Sequence, residues 1–306
     1  MIVSKKSVGA RRKTATKAKT SIFPAQPLRP VISDTVLVAK VEELLFAFYN
    51  KRIAALDTID LEKTLRRKNP YLYRATGKNN AADIVKELLV AHVSSSDETL
   101  FGNVFFEPLS LWAARESFKG DAAYAVTISQ GEGMDMSIEQ YGVRVSPIAV
   151  KSGPNVFNAA SKKKQAQNFI SLRARLSKGG ALYDPIIGYC YGKKKQGTTG
   201  TGVGQYRELA GQIFWFELTG EPDFYLRIIN SMGSHPTVHA PNFEAAFDRA
   251  SNRLASRFLA SFQLPNGDID WGKFARFNSA TEEKITLPKL KPVAGVAASG
   301  SDGSGL

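Results

Sequence analysis

At 306 residues and 33.4 kDa, with 43% hydrophobic and 23% charged side chains, the chain suits one large domain or two modest ones and excludes a disordered or collagenous protein. Its 41 Lys and Arg against 28 Asp and Glu leave a net charge of +13 and a pI near 9.7, an excess that favours nucleic acid or an anionic membrane surface as partner. One cysteine, Cys190, precludes an internal disulfide, and with only His92, His235 and His239 beside it the usual structural zinc sites are excluded.

The chain begins with a basic segment. Residues 1–30 hold eight Lys and Arg, and no acid precedes Asp34. Rich in Lys, Ala, Thr and Ser, this stretch reads as a disordered arm, either a DNA-tracking tail or a solubilising leader. Residues 31–290 then read as a single domain with a helical N-terminal third. Val36, Val41, Leu44, Leu45 and Phe48 recur at helical spacing, predicting one or two helices over 33–67 that end before Pro70. Two more helices follow, over 81–93 and 97–118, the second opened by the cap cluster Ser94-Ser95-Ser96 with Asp97 and Glu98 in its first turn.

The texture then changes. Residues 124–129, 134–140 and 143–151 are short and β-branched or alternating, which predicts an antiparallel meander. A basic helix over 158–177 and a strand over 183–191 come next, and the stretches 205–218, 223–230 and 243–262 read as helical. His235 and His239 flank Pro236 in an expected surface loop, Cys190 is expected in the core, and 291–306 reads as a flexible Gly/Ala/Ser tail. No apolar run reaches the ~18 residues of a membrane span, and the N-terminus lacks the apolar region of a secretory signal, so the expected location is the cytoplasm, away from membranes. Helix, three strands, helix, strand is the order of an α/β fold whose mixed sheet carries helices on both faces.

Within such a sheet the second and third strands hold the best chemistry. Asp135 lies in Gly131-Glu-Gly-Met-Asp-Met-Ser137, and Lys151 closes the apolar strand Ser146-Pro-Ile-Ala-Val-Lys151. Hydrolysis of a phosphodiester with metal assistance needs carboxylates to hold Mg²⁺ and a cation to orient the attacking water. The pair supplies one of each, although a loop acid and a solvent-exposed strand-end lysine would have the same spacing. The position two residues before the lysine, where such sites usually carry a second acid, is Ala149.

Five segments taken in order carry a resemblance: Asn69-Pro-Tyr-Leu-Tyr-Arg74, Ala91-His-Val-Ser-Ser-Ser-Asp-Glu-Thr-Leu-Phe-Gly102, Lys151-Ser-Gly-Pro-Asn155, Gly188-Tyr-Cys-Tyr-Gly192 and Gly211-Gln-Ile-Phe-Trp215. Together they resemble the PmeII-type family of type II restriction endonucleases, within the PD-(D/E)XK nuclease superfamily, over residues 65–271. The resemblance implies a restriction-endonuclease-like core with additional N- and C-terminal helices. It also implies a Mg²⁺-dependent enzyme that cuts duplex DNA at a short sequence, as a homodimer in a restriction-modification pair with a cognate DNA methyltransferase. Asp135 and Lys151 carry over as catalytic acid and lysine. Ala149 departs from the superfamily pattern and keeps open the alternative of a DNA-binding protein that has lost catalysis on a nuclease scaffold.

A relocated acid has few places to lie. Residues 159–177 contain no Asp or Glu, whereas the preceding helix offers Glu98 and Glu107. Nine residues apart, they fall on opposite faces of a continuous helix. Glu98 has a ready role beside the helix dipole, while Glu107, inside Phe105-Phe-Glu-Pro-Leu109, needs a partner or a metal, unless Pro108 kinks the helix and alters the angle. Glu107 is therefore the favoured third catalytic residue and metal ligand with Asp135, Glu98 the second candidate ligand, and Glu139 a remaining alternative on Asp135's face. Ser152, Asn155 and Asn158 follow Lys151 where a DNA phosphate can be held, with turn and cap chemistry as the competing role. Lys162, Lys163, Lys164, Arg173 and Arg175 are candidates for the DNA backbone, or form a solvated helix face, and Lys193-Lys-Lys195 opens a Gly-rich loop that either contacts DNA or merely links.

Overall fold

The computed structural model describes residues 23, 29–129, 131–155, 157–176, 180–195, 197–281 and 285–288. Most of the predicted arm and all of the 291–306 tail lie outside the described residues. Arg29, from the end of the arm, belongs to the packed body: it donates to the carbonyls of Glu217 and Leu218, each at 3.0 Å, and lies 4.0 Å over the Phe118 ring.

Helix α1 (Asp34–Asp57) begins at Ser33, whose hydroxyl accepts the Val36 N–H, and short α2 (Leu61–Leu65) follows. Pro70 opens rather than precedes a further short helix, α3 (Pro70–Ala75), because proline suits a first helical turn and the Asn69 carboxamide caps it. Helix α4 (Ala81–Phe101) runs unbroken through Ser94, Ser95 and Ser96, so the expected cap cluster is helix interior and Asp97 and Glu98 fall in a last turn, not a first. No Gly or Pro interrupts the run, and buried Ile84, Val85, Leu88 and Leu89 hold one face, so tertiary packing overrides the weak preference of serine for caps.

The helix continues into a π-helical turn, Gly102–Phe106, and then α5 (Glu107–Ser117). The Glu107 N–H bonds five residues back, to the Gly102 carbonyl. Pro108, which has no N–H and whose ring would meet the preceding turn, gives this widening a local cause.

Three strands, β1 (Tyr124–Ile128), β2 (Met136–Gln140) and β3 (Arg144–Lys151), form the expected antiparallel meander. Basic helix α6 (Ala159–Leu176) then crosses to β4 (Leu182–Tyr183) and β5 (Ile186–Tyr189), both parallel to β3. A two-residue strand, β6 (Thr198–Thr199), precedes β7 (Tyr206–Ala210), which is parallel to β5. Among the described residues these strands make one mixed sheet, ordered β1-β2-β3-β5-β7-β6 with β4 beside β3. The stretch expected as a helix over 205–218 is thus strand then helix. Tyr206 and Ala210 pack on one face and Leu209 on the other, and Gly211, at φ +53°, breaks the chain before α7 (Gln212–Thr219).

Helices α8 (Phe224–Met232) and α9 (His235–Phe262) complete the C-terminal half with α10 (Trp271–Ser279), which the sequence pattern did not predict. His235 and His239 lie in α9 rather than in a loop, since Pro236 sits where a helix start tolerates it. His235 pairs with Glu42, and His239 stacks on Tyr49 at 4.8 Å. No described helix is long and apolar enough to cross a membrane.

Three apolar clusters follow from this layout. Met136, Ile148, Val150, Ile186 and Leu209 face α1, α5, α7 and α8, whereas Ala149, Ile187 and Tyr189 face α6 through Phe169 and Leu172. A separate helical cluster joins Leu61, Ile84, Leu88, Leu254, Phe258 and Phe274. The α/β architecture with added terminal helices agrees with the sequence expectation.

The sheet centre tolerates no extra bulk at Gly188. A Cβ there would lie 2.0 Å from the ring of fully buried Phe214. Gly188→Ala should therefore lower stability by about 1–3 kcal/mol, seen as a reduced denaturant midpoint at unchanged m-value; an unchanged midpoint would show that Phe214 has room to move.

Candidate active site

β3 delivers its last residue, Lys151, to the rim of the sheet, and the β2–β3 ladder delivers Asp135 beside it. The Asp135 N–H donates to the Ile148 carbonyl at 2.9 Å, one step beyond the Met136–Ile148 pair, which sets Asp135 opposite Ala149. The backbone of a single residue, Val150, fixes both side chains. The Val150 N–H donates to Asp135 Oδ2 at 2.6 Å, and the Val150 carbonyl accepts from Lys151 Nζ at 2.7 Å. The ammonium and the carboxylate lie 3.6 Å apart, at 20% and 28% side-chain exposure, so their interaction is neither fully solvated nor sealed from a substrate.

Glu107 reaches the same rim from the helical layer. Half-buried at the start of α5, it is pushed above the ordinary carboxylate range by burial first and by the negative charge of Asp135 second, with Lys151 partly opposing. Those two charges act on Glu107 because the π turn brings the helix against the end of β3: a Cβ on Gly102 would lie 2.4 Å from Ser152 Oγ. Glu98 is turned elsewhere. Its carboxylate accepts from the Tyr191 hydroxyl at 3.5 Å, and its carbonyl from Ser152 Oγ at 3.5 Å, while neighbouring Asp97 is held by Arg52 at 2.8 Å. Glu98 and Glu107 would lie on opposite faces of an unbroken α-helix, but the π turn changes the rotation between them.

Glu139 pairs with Val145 near the far end of β2, four residues or about 13 Å along the strand from Asp135. Ala149 is fully buried among Met134, Phe169 and Tyr189, so an acid at that position would need this packing to open. Cys190 is buried with its sulfur 3.9 Å from Ser110 Oγ, and burial pushes its thiol up, away from nucleophilic use.

Of the residues considered for phosphate, Asn158 is engaged as a cap, its carboxamide oxygen accepting the Ser161 N–H at 2.8 Å. Asn155 and Lys163 are exposed, and Lys164 pairs with Glu132 at 2.8 Å on the surface. Lys162 turns inward to Glu208 at 2.7 Å, and Lys194, from the Gly-rich loop, approaches the same carboxylate at 3.8 Å. Glu208 escaped the sequence pattern because its segment reads as helical; as part of an alternating strand it is a charge on a buried face.

Among the described residues the rim offers oxygen donors, the carboxylates of Asp135 and Glu107 and the Val150 carbonyl that accepts from Lys151, a set that fits a hard divalent cation. Among the described residues, no group of three or more His, Cys, Asp or Glu converges as a ready-made metal cage. Two carboxylates and an ammonium beside a strand end can position a phosphate and a water, which is the chemistry of phosphodiester hydrolysis.

Comparison with known proteins bears on this chemistry. The chain has no match among the curated proteins compared. Residues 36–238 match the type II restriction endonuclease EcoO109I family, which supports the restriction-endonuclease reading without supporting the narrower PmeII-type resemblance. The match spans well over half of the chain and includes most of α1, every described strand and all of the rim residues, so the chain belongs to the type II restriction endonuclease EcoO109I family.

Proposed function

We propose that this restriction endonuclease is a Mg²⁺-dependent enzyme hydrolysing both strands of duplex DNA at a short sequence. In this reading it acts in the cytoplasm as a homodimer, beside a methyltransferase that protects the same sequence. The observation that carries the reading is the Asp135–Lys151 pair at 3.6 Å, with Glu107 close enough for both charges to act on it.

Asp135 and Glu107 are the residues to hold the cation, with the Val150 carbonyl as a further oxygen. When bound, Mg²⁺ supplies Lewis-acid stabilisation of the phosphate's negative charge. Lys151 supplies the remaining electrostatic stabilisation. Its ammonium, fixed by the Val150 carbonyl, orients the attacking water and stabilises charge that develops on the phosphate oxygens. Ser152 and Asn155, at the turn after Lys151, are placed to hold the DNA backbone on the same rim.

A second reading, DNA binding without cleavage, is favoured by Ala149, a fully buried alanine where such sites usually carry an acid. Incubation of the protein with plasmid DNA and Mg²⁺ separates the two. Discrete fragments support the nuclease; undigested plasmid with retained binding supports the inactive scaffold. Asp135→Ala and Lys151→Ala should each reduce the cleavage rate by a factor on the order of 10²–10³ while leaving DNA binding. Glu107→Ala should lose cleavage as well, whereas Glu98→Ala should stay within a few-fold of the parent; the reverse ranking would move the third carboxylate to Glu98.

Glu107 also predicts a pH effect in the absence of divalent cation. A carboxyl whose folded pKa lies above its unfolded value costs stability when ionised, and that cost disappears as the pH falls through the folded pKa toward the unfolded one. Glu107→Gln should therefore raise the melting temperature near neutral pH, and the gain should vanish as the pH enters the ordinary carboxylate range. Thermal melts of the two proteins across that window test it, and a less stable Glu107→Gln protein at neutral pH would contradict the placement.

A further inference from the structure

Beyond the cleavage residues, a second charged cluster lies on the same face of the sheet. Glu208, on β7, is buried to 10% side-chain exposure and holds two ammonium groups, Lys162 at 2.7 Å and Lys194 at 3.8 Å, the two lysines being 33% and 27% exposed. The Tyr189 hydroxyl donates to the same carboxylate at 3.1 Å, and the Lys194 ammonium lies 5.2 Å over the Tyr189 ring. One carboxylate cannot neutralise two ammonium groups, so the cluster keeps a positive charge at a surface that an anion can reach.

Two further observations give that charge a direction. Lys162 occupies the first turn of α6, which has no acid to offset it, so a cation stands at the helix end where the dipole favours an anion. Tyr189 is also the register partner of Lys151. Glu208 is in register with Ile187 and through it with Ala149, so its backbone stands two strand spacings from β3, about 10 Å across the sheet, beside the cleavage residues rather than among them.

Resting on the nuclease reading, we infer that Glu208 is a positioning residue that gathers Lys162 and Lys194 into a clamp for a backbone phosphate of DNA, flanking the phosphate that is cut. The bond to Glu208 keeps Lys162 oriented, whereas the looser Lys194 closes on the phosphate from its Gly-rich loop. A purely structural ion pair would need only one of the two lysines; the second, part-exposed at 3.8 Å from an already paired acid, leaves a charge that the protein does not neutralise.

The test measures binding of a labelled mixed-sequence duplex as a function of NaCl concentration, together with steady-state plasmid cleavage. Removing one lysine that neutralises a phosphate takes about one from the slope of log K against log salt. Because the two lysines share a single phosphate, the Lys162→Ala/Lys194→Ala protein should thus lose about one from that slope and raise KM by a larger factor than it lowers kcat, while the Lys→Arg pair restores the slope. Glu208→Gln, which keeps the side-chain volume and an acceptor for Tyr189, discriminates most sharply. It makes the surface more positive, so charge alone predicts tighter binding; the clamp predicts weaker binding and a higher KM. Tighter binding by Glu208→Gln, or a parental slope in the double alanine protein, overturns the clamp and leaves the nuclease reading standing. Failure of the unmodified protein to bind duplex DNA overturns both.

Discussion

The geometry of the site depends on the backbone of one residue, Val150. Its N–H grips Asp135 and its carbonyl grips Lys151, so an acid from one strand and a base from the next are held by the rigid backbone between them. That residue is itself fixed from three sides. Its side chain is buried against the helical layer, its strand is paired with β2 and β5, and the following Ser152 lies against the π turn at Gly102. Preorganisation of this kind is what an electrostatic site requires, because dipoles already in place need no reorganisation as charge develops.

The helical layer contributes by being irregular. An unbroken α-helix from α4 into α5 would keep a regular rotation between Glu98 and Glu107, but Pro108 removes one backbone donor and the chain widens into a π turn ahead of it. Glycine at position 102 then permits the close approach of Ser152. The same stretch separates two neighbouring acids into distinct surroundings: Glu98 toward Tyr191, and Glu107 toward Asp135 and Lys151.

Much of this was legible in the sequence, for identifiable reasons. The meander β1 to β3 shows its alternation directly, and a lysine closing an otherwise apolar strand marks Lys151 as a rim residue. Asp135 stood out as an acid at the mouth of an apolar strand. What the sequence concealed were features set by partners distant in the chain. The serines at 94–96 look like a cap and are carried through by packing. The segment 206–210 looks helical until β5 offers it a parallel neighbour, and Glu208 was lost with it. The proximity of Glu107 to Asp135 depends on a π turn that no periodicity announces, although Pro108 marks the place. Charge needed the same revision: the overall excess of +13 points to a polyanion only in general, whereas the proposed clamp rests on two lysines gathered around Glu208.

The central claim is that Asp135 and Glu107 together form the cation site beside Lys151. Calorimetric titration of Mg²⁺ into the protein without DNA tests it most directly. Binding should be detectable in the parent protein and in Glu98→Gln, and lost or greatly weakened in both Asp135→Asn and Glu107→Gln. Undiminished binding in Glu107→Gln, or its loss in Glu98→Gln, would contradict the account.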